Sequence, residues 1–277
     1  MHHWETGQVE VNGVRIAYTR TGGAKPPLVL AHGVTDSGLC WSPVAQELAS
    51  EYDVIMVDAR GHGKSDAPEN GYGPAEQAGD LAGLIQGLGL QHPAILGHSM
   101  GAATTLVLAG TYPELPGAIL LEDPPGWWMP ARQGDTSDQD RRSGMRDWML
   151  GLKRKTREEL IAEQRTQTPG WSEAELGPWA DAKLQLNPNV ASVFDSGGPA
   201  AVDWETVMRR IACPALLITA DPEQGAIVTE EAADALRALI PQLQVAHIPG
   251  AGHNIRRDQP DRFLEVVRGF LTEHAMA

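Results

Sequence analysis

Pro93-Ala94-Ile95-Leu96-Gly97-His98-Ser99-Met100-Gly101-Ala102-Ala103-Thr104-Thr105-Leu106-Val107-Leu108-Ala109 passes from a short apolar run, through a serine held between two glycines, into a stretch of good helix formers. The pattern Gly-x-Ser-x-Gly alone carries little weight, because a chain with this many Gly and Ser residues contains it by chance about one time in eight. Its setting carries more. A buried strand, a sharp turn and a helix in that order push a serine hydroxyl out at the carboxyl end of a sheet, where open α/β sheets build their sites. Gly97 and Gly101 leave room where side chains would collide. The stretch therefore predicts Ser99 as a nucleophile; a serine that merely caps the following helix is the competing reading.

Further apolar runs on either side of this turn read as strands buried on both faces: Leu28 to Ala31, Val54 to Val57, Ala118 to Leu121, Ala215 to Thr219 and Val245 to Ile248. Helical periodicity fills most of the gaps, over Pro74 to Leu88, Met100 to Tyr112, Glu230 to Leu239 and Asp261 to His274. Strand and helix in alternation predict an α/β fold, a mostly parallel central sheet with helices on both faces. At the start, Val9 to Tyr18 alternates around Asn12-Gly13, the signature of a tight antiparallel hairpin.

The alternation stops between Asp123 and about Asp203. Helix-like charged stretches such as Arg154 to Gln164 replace buried-strand runs there. The expected organisation is a core of residues 1–123 and 204–277 with a helical cap inserted at 124–203. Trp127, Trp128, Trp148, Trp171, Trp179 and Trp204 lie in or beside the cap. They can pack the cap onto the core or line an apolar pocket, and both roles are expected. Trp127 and Trp128 follow directly on a strand end and are the candidate substrate contacts.

At 277 residues and 42% hydrophobic content, the chain has the make-up of a globular protein with one core domain and a smaller elaboration. No segment is long and apolar enough to span a bilayer. Met1 to Thr6 lacks the basic start and apolar stretch of a secretory signal, which predicts a cytoplasmic protein. A formal charge of −14 repels polyanions and makes nucleic acid a poor partner. Cys40 and Cys213 stand far apart without ligand spacing and read as buried thiols, and no HExxH pattern occurs among the nine histidines. Gly63-Lys64-Ser65 does not complete a phosphate-binding loop, because that pattern needs Gly where Asp58 stands. Neither a metal nor a cofactor is expected.

A serine hydroxyl needs a base. His253, in the glycine-rich loop Pro249-Gly250-Ala251-Gly252-His253-Asn254, follows the last expected strand and is the candidate. A carboxylate should orient its imidazole. Asp221 and Glu223 lie past the strand Ala215 to Thr219, and Glu122 and Asp123 lie past Ala118 to Leu121. Asp221 ranks first, then Glu122, then Glu223. Backbone N–H groups should receive a developing oxyanion: that of Met100, next to the nucleophile, and that of Val34, in the loop His32-Gly33-Val34.

These residues, with Asp58-Ala59-Arg60-Gly61-His62-Gly63-Lys64-Ser65-Asp66, resemble the α/β-hydrolase superfamily over nearly the whole chain outside the cap. The resemblance implies a chain order of nucleophile, acid, histidine, which Ser99, Asp221 and His253 match. The family often sets its acid a few residues farther past the strand, which favours Glu223. Haloalkane dehalogenases take it from the preceding strand, which favours Glu122. Those enzymes and epoxide hydrolases carry Asp as nucleophile, so Ser99 argues against both. The implied activity is hydrolysis of a carboxylic ester or lactone on a small, apolar molecule. Amide, carbamate and carbon-carbon bond hydrolysis use related machinery, and a ligand-binding protein with little turnover is the alternative of another class.

Overall fold

The computed structural model describes residues 4–129, 137–194 and 201–274. Two strands, β1 (Glu5–Val11) and β2 (Val14–Arg20), form the antiparallel hairpin, turned by Asn12 and Gly13 at φ of 50° and 75°. Six further strands follow: β3 (Pro27–Ala31), β4 (Asp53–Val57), β5 (Ala94–His98), β6 (Ala118–Glu122), β7 (Ala215–Thr219) and β8 (Leu243–His247). Their order in one sheet is β1-β2-β4-β3-β5-β6-β7-β8, parallel from β4 to β8, with the hairpin antiparallel at one edge.

Strand alternation divides the core into two layers. Val29, Ala31, Ile55, Val57 and Ile95 face a cluster built with α2 (Pro74–Gly87), α3 (Met100–Thr111), α7 (Trp204–Arg209) and α8 (Glu230–Leu239). Leu28, Leu30, Val54, Met56 and Leu96 face the other layer, made by α1 (Ser42–Leu48), α9 (Ile255–Asp258) and α10 (Pro260–Glu273). Both faces are covered, so the strands read as continuous apolar runs. The expected strand Val245 to Ile248 starts two residues earlier, at Leu243. On this partly exposed edge, the apolar pattern does not mark the limits of backbone pairing.

Between β6 and α7, the described residues form no strand but three helices, α4 (Ser137–Leu152), α5 (Arg157–Gln167) and α6 (Glu173–Gln185), and a short 3-10 segment, Pro188–Phe194. Helix α5 begins later than the charged run at Arg154 suggested. Thr156 caps it reciprocally with Glu159, and that capping box fixes the start. Helix α6 packs on the Gly38–Trp41 turn and on α1, which brings the inserted helices against the loop that follows β3. No helix among the described residues is long and apolar enough to cross a membrane.

Candidate active site

Ser99 lies between the last residue of β5 and the first of α3, with φ 51° and ψ −115°. For a non-glycine residue this is a strained conformation that the surroundings must enforce. Ser99 N–H donates to Glu122 O on β6 (2.9 Å), and Ser99 O accepts from Ala103 N (3.0 Å). The glycines allow the turn to close: a Cβ on Gly97 would lie 2.4 Å from Gly101 O, and one on Gly101 would lie 2.2 Å from Ala31 O.

His253 is in the loop between β8 and α9. Its Nδ1 meets Oδ2 of Asp123 at 2.6 Å, so Nδ1 carries the proton and Nε2 is left with its lone pair. The backbone carbonyl of His253 accepts from His98 Nε2 (2.9 Å), and the two rings lie 4.7 Å apart. Because His98 is the chain neighbour of Ser99, this contact brings the histidine loop to the turn.

Asp123, the first residue past β6, is fully buried with φ 43°. Its carboxylate also accepts the N–H groups of Ile227 (2.8 Å to Oδ2) and Val228 (2.9 Å to Oδ1), which orient it toward His253. None of the three carboxylates ranked from the sequence makes this contact. Asp221 accepts from His247 Nε2 (3.0 Å) and from Gly250 N (2.8 Å), so it braces the start of the histidine loop, and these contacts hold its carboxyl below the usual range. Glu122 points elsewhere and accepts the backbone N and the guanidinium of Arg256, at 2.9 and 3.0 Å. Glu223 lies exposed on a 3-10 turn. The difference has a simple geometric origin. Strand β6 runs one residue farther than its apolar stretch, so Glu122 is its last paired residue, in register with His98. The next residue, Asp123, therefore stands level with Ser99. The side chains of neighbouring residues leave a strand on opposite faces, and the pair Glu122-Asp123 splits accordingly.

The loop after β3 is pinned in detail. His32 accepts Ala59 N–H at Nε2 (3.0 Å), so its Nδ1–H donates to Gly33 O (2.8 Å), and Asp36 N–H donates to the same oxygen (3.0 Å). Burial lowers the pKa of His32 to about 3 and keeps the ring neutral. With Gly33 O fixed, the trans planar peptide aims Val34 N–H the opposite way. A Cβ on Gly33 would lie 3.5 Å from Ser99 Cβ, which places this peptide beside the serine. Met100 N–H is the first of α3, has no acceptor within the helix and sits at its positive end. The Gly33–Val34 peptide and the first turn of α3 are thus both neighbours of Ser99.

The two candidate tryptophans part company. Trp127 is half-buried and stacks on Trp204 with ring centroids 5.7 Å apart. Trp128 is buried in the core layer, and its Nε1 donates to Ala232 O at 2.9 Å, so it supports the core and does not line a site. Val34 packs against Tyr72, Met149, Leu186 and Val190, which gives the loop beside Ser99 an apolar wall. Among the described residues, no cluster of His, Cys, Asp and Glu has the arrangement of a metal site, and both cysteines are buried free thiols.

Comparison with known proteins agrees with this architecture. The chain is 29% identical over 270 residues to N-formylmaleamate deformylase of Pseudomonas putida, with 96% of each chain covered. It is 26% identical to 2-(acetamidomethylene)succinate hydrolase of Mesorhizobium japonicum, over 97% of this chain and 96% of that one. The solved structure of an esterase from Rhodococcus sp. ECU1013 superposes with a TM-score of 0.77 at 27% identity, covering 98% of this chain and 99% of the other. Residues 26–256 match the model of the alpha/beta hydrolase fold, and with strand order, turn and pinned loop in agreement, the chain belongs to that family of hydrolases.

Proposed function

We propose that this chain is a serine hydrolase that needs no cofactor and cleaves a carboxylic ester or lactone through an acyl-enzyme. The observation that carries the reading is the strained backbone of Ser99, whose chain neighbour His98 touches His253, a histidine with its Nδ1–H bound by a buried carboxylate. Ser99 Oγ attacks the carbonyl carbon while His253 Nε2 takes the hydroxyl proton. Val34 and Met100 N–H groups receive the oxyanion. Collapse of the tetrahedral intermediate expels the alkoxide, which is protonated by His253. Water then attacks the acyl carbon, giving its proton to His253, and the carboxylic acid leaves as Ser99 regains its hydrogen. Asp123 holds the productive tautomer and stabilises the imidazolium. The apolar cluster packed at Val34, with Met149 and Val190, supports a small substrate with an apolar acyl or alkyl part.

A second reading is favoured by the two curated relatives, whose names place a formyl and an acetamido group in their substrates. The same steps cleave an amide, with His253 protonating the departing amine. A fluorophosphonate probe should label the wild type and not Ser99→Ala, and a panel of nitrophenyl esters, lactones, formamides and acetamides reads the preference. Faster turnover of the amides selects the second reading. A folded wild type that takes no label overturns both.

A further inference from the structure

Acyl transfer as written leaves a network of six ionisable side chains without a part. Asp36, Glu122, Glu175, Lys183, Arg256 and Arg257 are all buried. Asp36 is the hub: Oδ1 accepts from Lys183 Nζ at 2.7 Å, and Oδ2 accepts from the guanidinium groups of Arg256 and Arg257, both at 2.9 Å. Arg257 continues to Glu175 (3.0 Å) and Arg256 to Glu122 (3.0 Å). Burial would raise the carboxyl of Asp36, but the three cations more than offset it and hold the group well below its usual range. Three carboxylates and three cations balance. Apolar residues of similar volume stabilise an interior as well as such a network does, so stability alone does not account for it.

Each member is attached to a piece of the candidate site. Asp36 follows two residues after Val34. Glu122 adjoins Asp123, and its carbonyl holds Ser99 N. Arg256 and Arg257 lie just past His253. Lys183 and Glu175 come from the cap, on α6. Lys183 reaches the loop twice, because its Nζ also donates to Thr35 O at 2.9 Å, and it lies 4.6 Å from the ring centre of Trp179.

We propose that Lys183 is a positioning residue for oxyanion binding. Its ammonium, delivered by a cap helix, fixes the Thr35 carbonyl and the Asp36 carboxylate and thereby holds Val34 N–H where a tetrahedral oxyanion forms. Helix α6 stays docked throughout turnover, because lifting it would strip Asp36 of a buried partner. The proposal rests on the serine-hydrolase reading and adds to it a cap residue that acts on the chemical step without touching substrate.

The test is Lys183→Met, which keeps the stem and removes the charge. Losing one oxyanion donor outright costs about 10²–10³ in kcat. A donor that is only displaced should cost less, roughly 10–100-fold per titrated active site, with KM changed less than about threefold. Affinity for a boronic acid that forms a tetrahedral adduct should fall in parallel. Arg157→Met is the control: it removes an exposed cap cation that pairs with Asp181 on α6 (2.6 Å), and it should keep wild-type kcat. If Lys183→Met does not fold, Asp36→Asn loosens the same loop and should show the same split between kcat and KM. Kcat and boronate affinity near wild type, with only a lowered melting temperature, would make Lys183 a cap anchor and overturn the proposal. Failure of the wild type to label with fluorophosphonate would instead remove the reading beneath it.

Discussion

In the proposed mechanism Asp123 sets how His253 works as a base, and its role can be separated from its neighbours by single substitutions. Asp123→Asn keeps the volume but offers an N–H to His253 Nδ1, so the ring must adopt the wrong tautomer. A loss of about 10⁴ in kcat is expected, as for the equivalent change in a serine protease. Glu223→Gln should stay within about twofold of wild type, since its exposed side chain touches none of this machinery, and steady-state kinetics on the three variants Asp123→Asn, Glu223→Gln and Glu122→Gln compares them directly. Glu122→Gln should act differently again. It leaves Arg256 short of a buried partner and should lower stability by about 3–5 kcal/mol in urea unfolding. The acid was the least legible member of the site. Residues 122 and 123 are both carboxylates, and which one faces the histidine depends on where β6 ends, a one-residue question that an apolar run does not answer. The turn at Ser99 and the loop at His253 were readable because glycines and a strand end frame each of them.

Among the elements, the turn at Ser99 depends on close packing between backbones. Gly101→Ala would press a methyl group against the carbonyl of Ala31 on β3 and should cost at least about 1–3 kcal/mol, read from denaturant melts. Gly144→Ala should have the opposite sign. Gly144 is exposed within α4 with open space around its Cα, and a methyl group there should stabilise the protein by roughly 0.5–1 kcal/mol. The central strands and long helices could be read from the sequence because period and burial agree along them. Short elements were harder: α1, α7 and α9 are held by the contacts they make in the core layers, and their few residues display no period of their own. The cap tryptophans show the same limit. Composition placed them in the insertion, but only the fold reveals that Trp171 and Trp179 lie over the buried cations Arg257 and Lys183.

For the molecule as a whole, buried histidines set the response to acid. Burial lowers the pKa of His32 to about 3, lowers that of His62, and holds His98 well below its usual range, the last with help from Arg256 and His253. The unfolded chain protonates these rings below about pH 6.5, whereas the folded chain takes up those protons only at lower pH. Stability is therefore full above that pH and falls as pH drops toward about 3, by up to about 1.4 kcal/mol per pH unit from His32 alone. Urea unfolding at pH 7 and pH 5 should reveal the fall, and His32→Asn should make it shallower; a free energy independent of pH over that range contradicts the account.

The hydrogen bond between Asp123 and His253 joins residues 130 positions apart, on either side of the helices inserted between β6 and α7. Translation proceeds at about 5–20 residues per second, so roughly 7–26 s pass between synthesis of Asp123 and synthesis of His253. During that interval the nascent chain carries the proposed nucleophile, acid and oxyanion loop but lacks the proposed base. The order of residues along the chain thus leaves the proposed site incomplete until the eighth strand and the loop after it have been made.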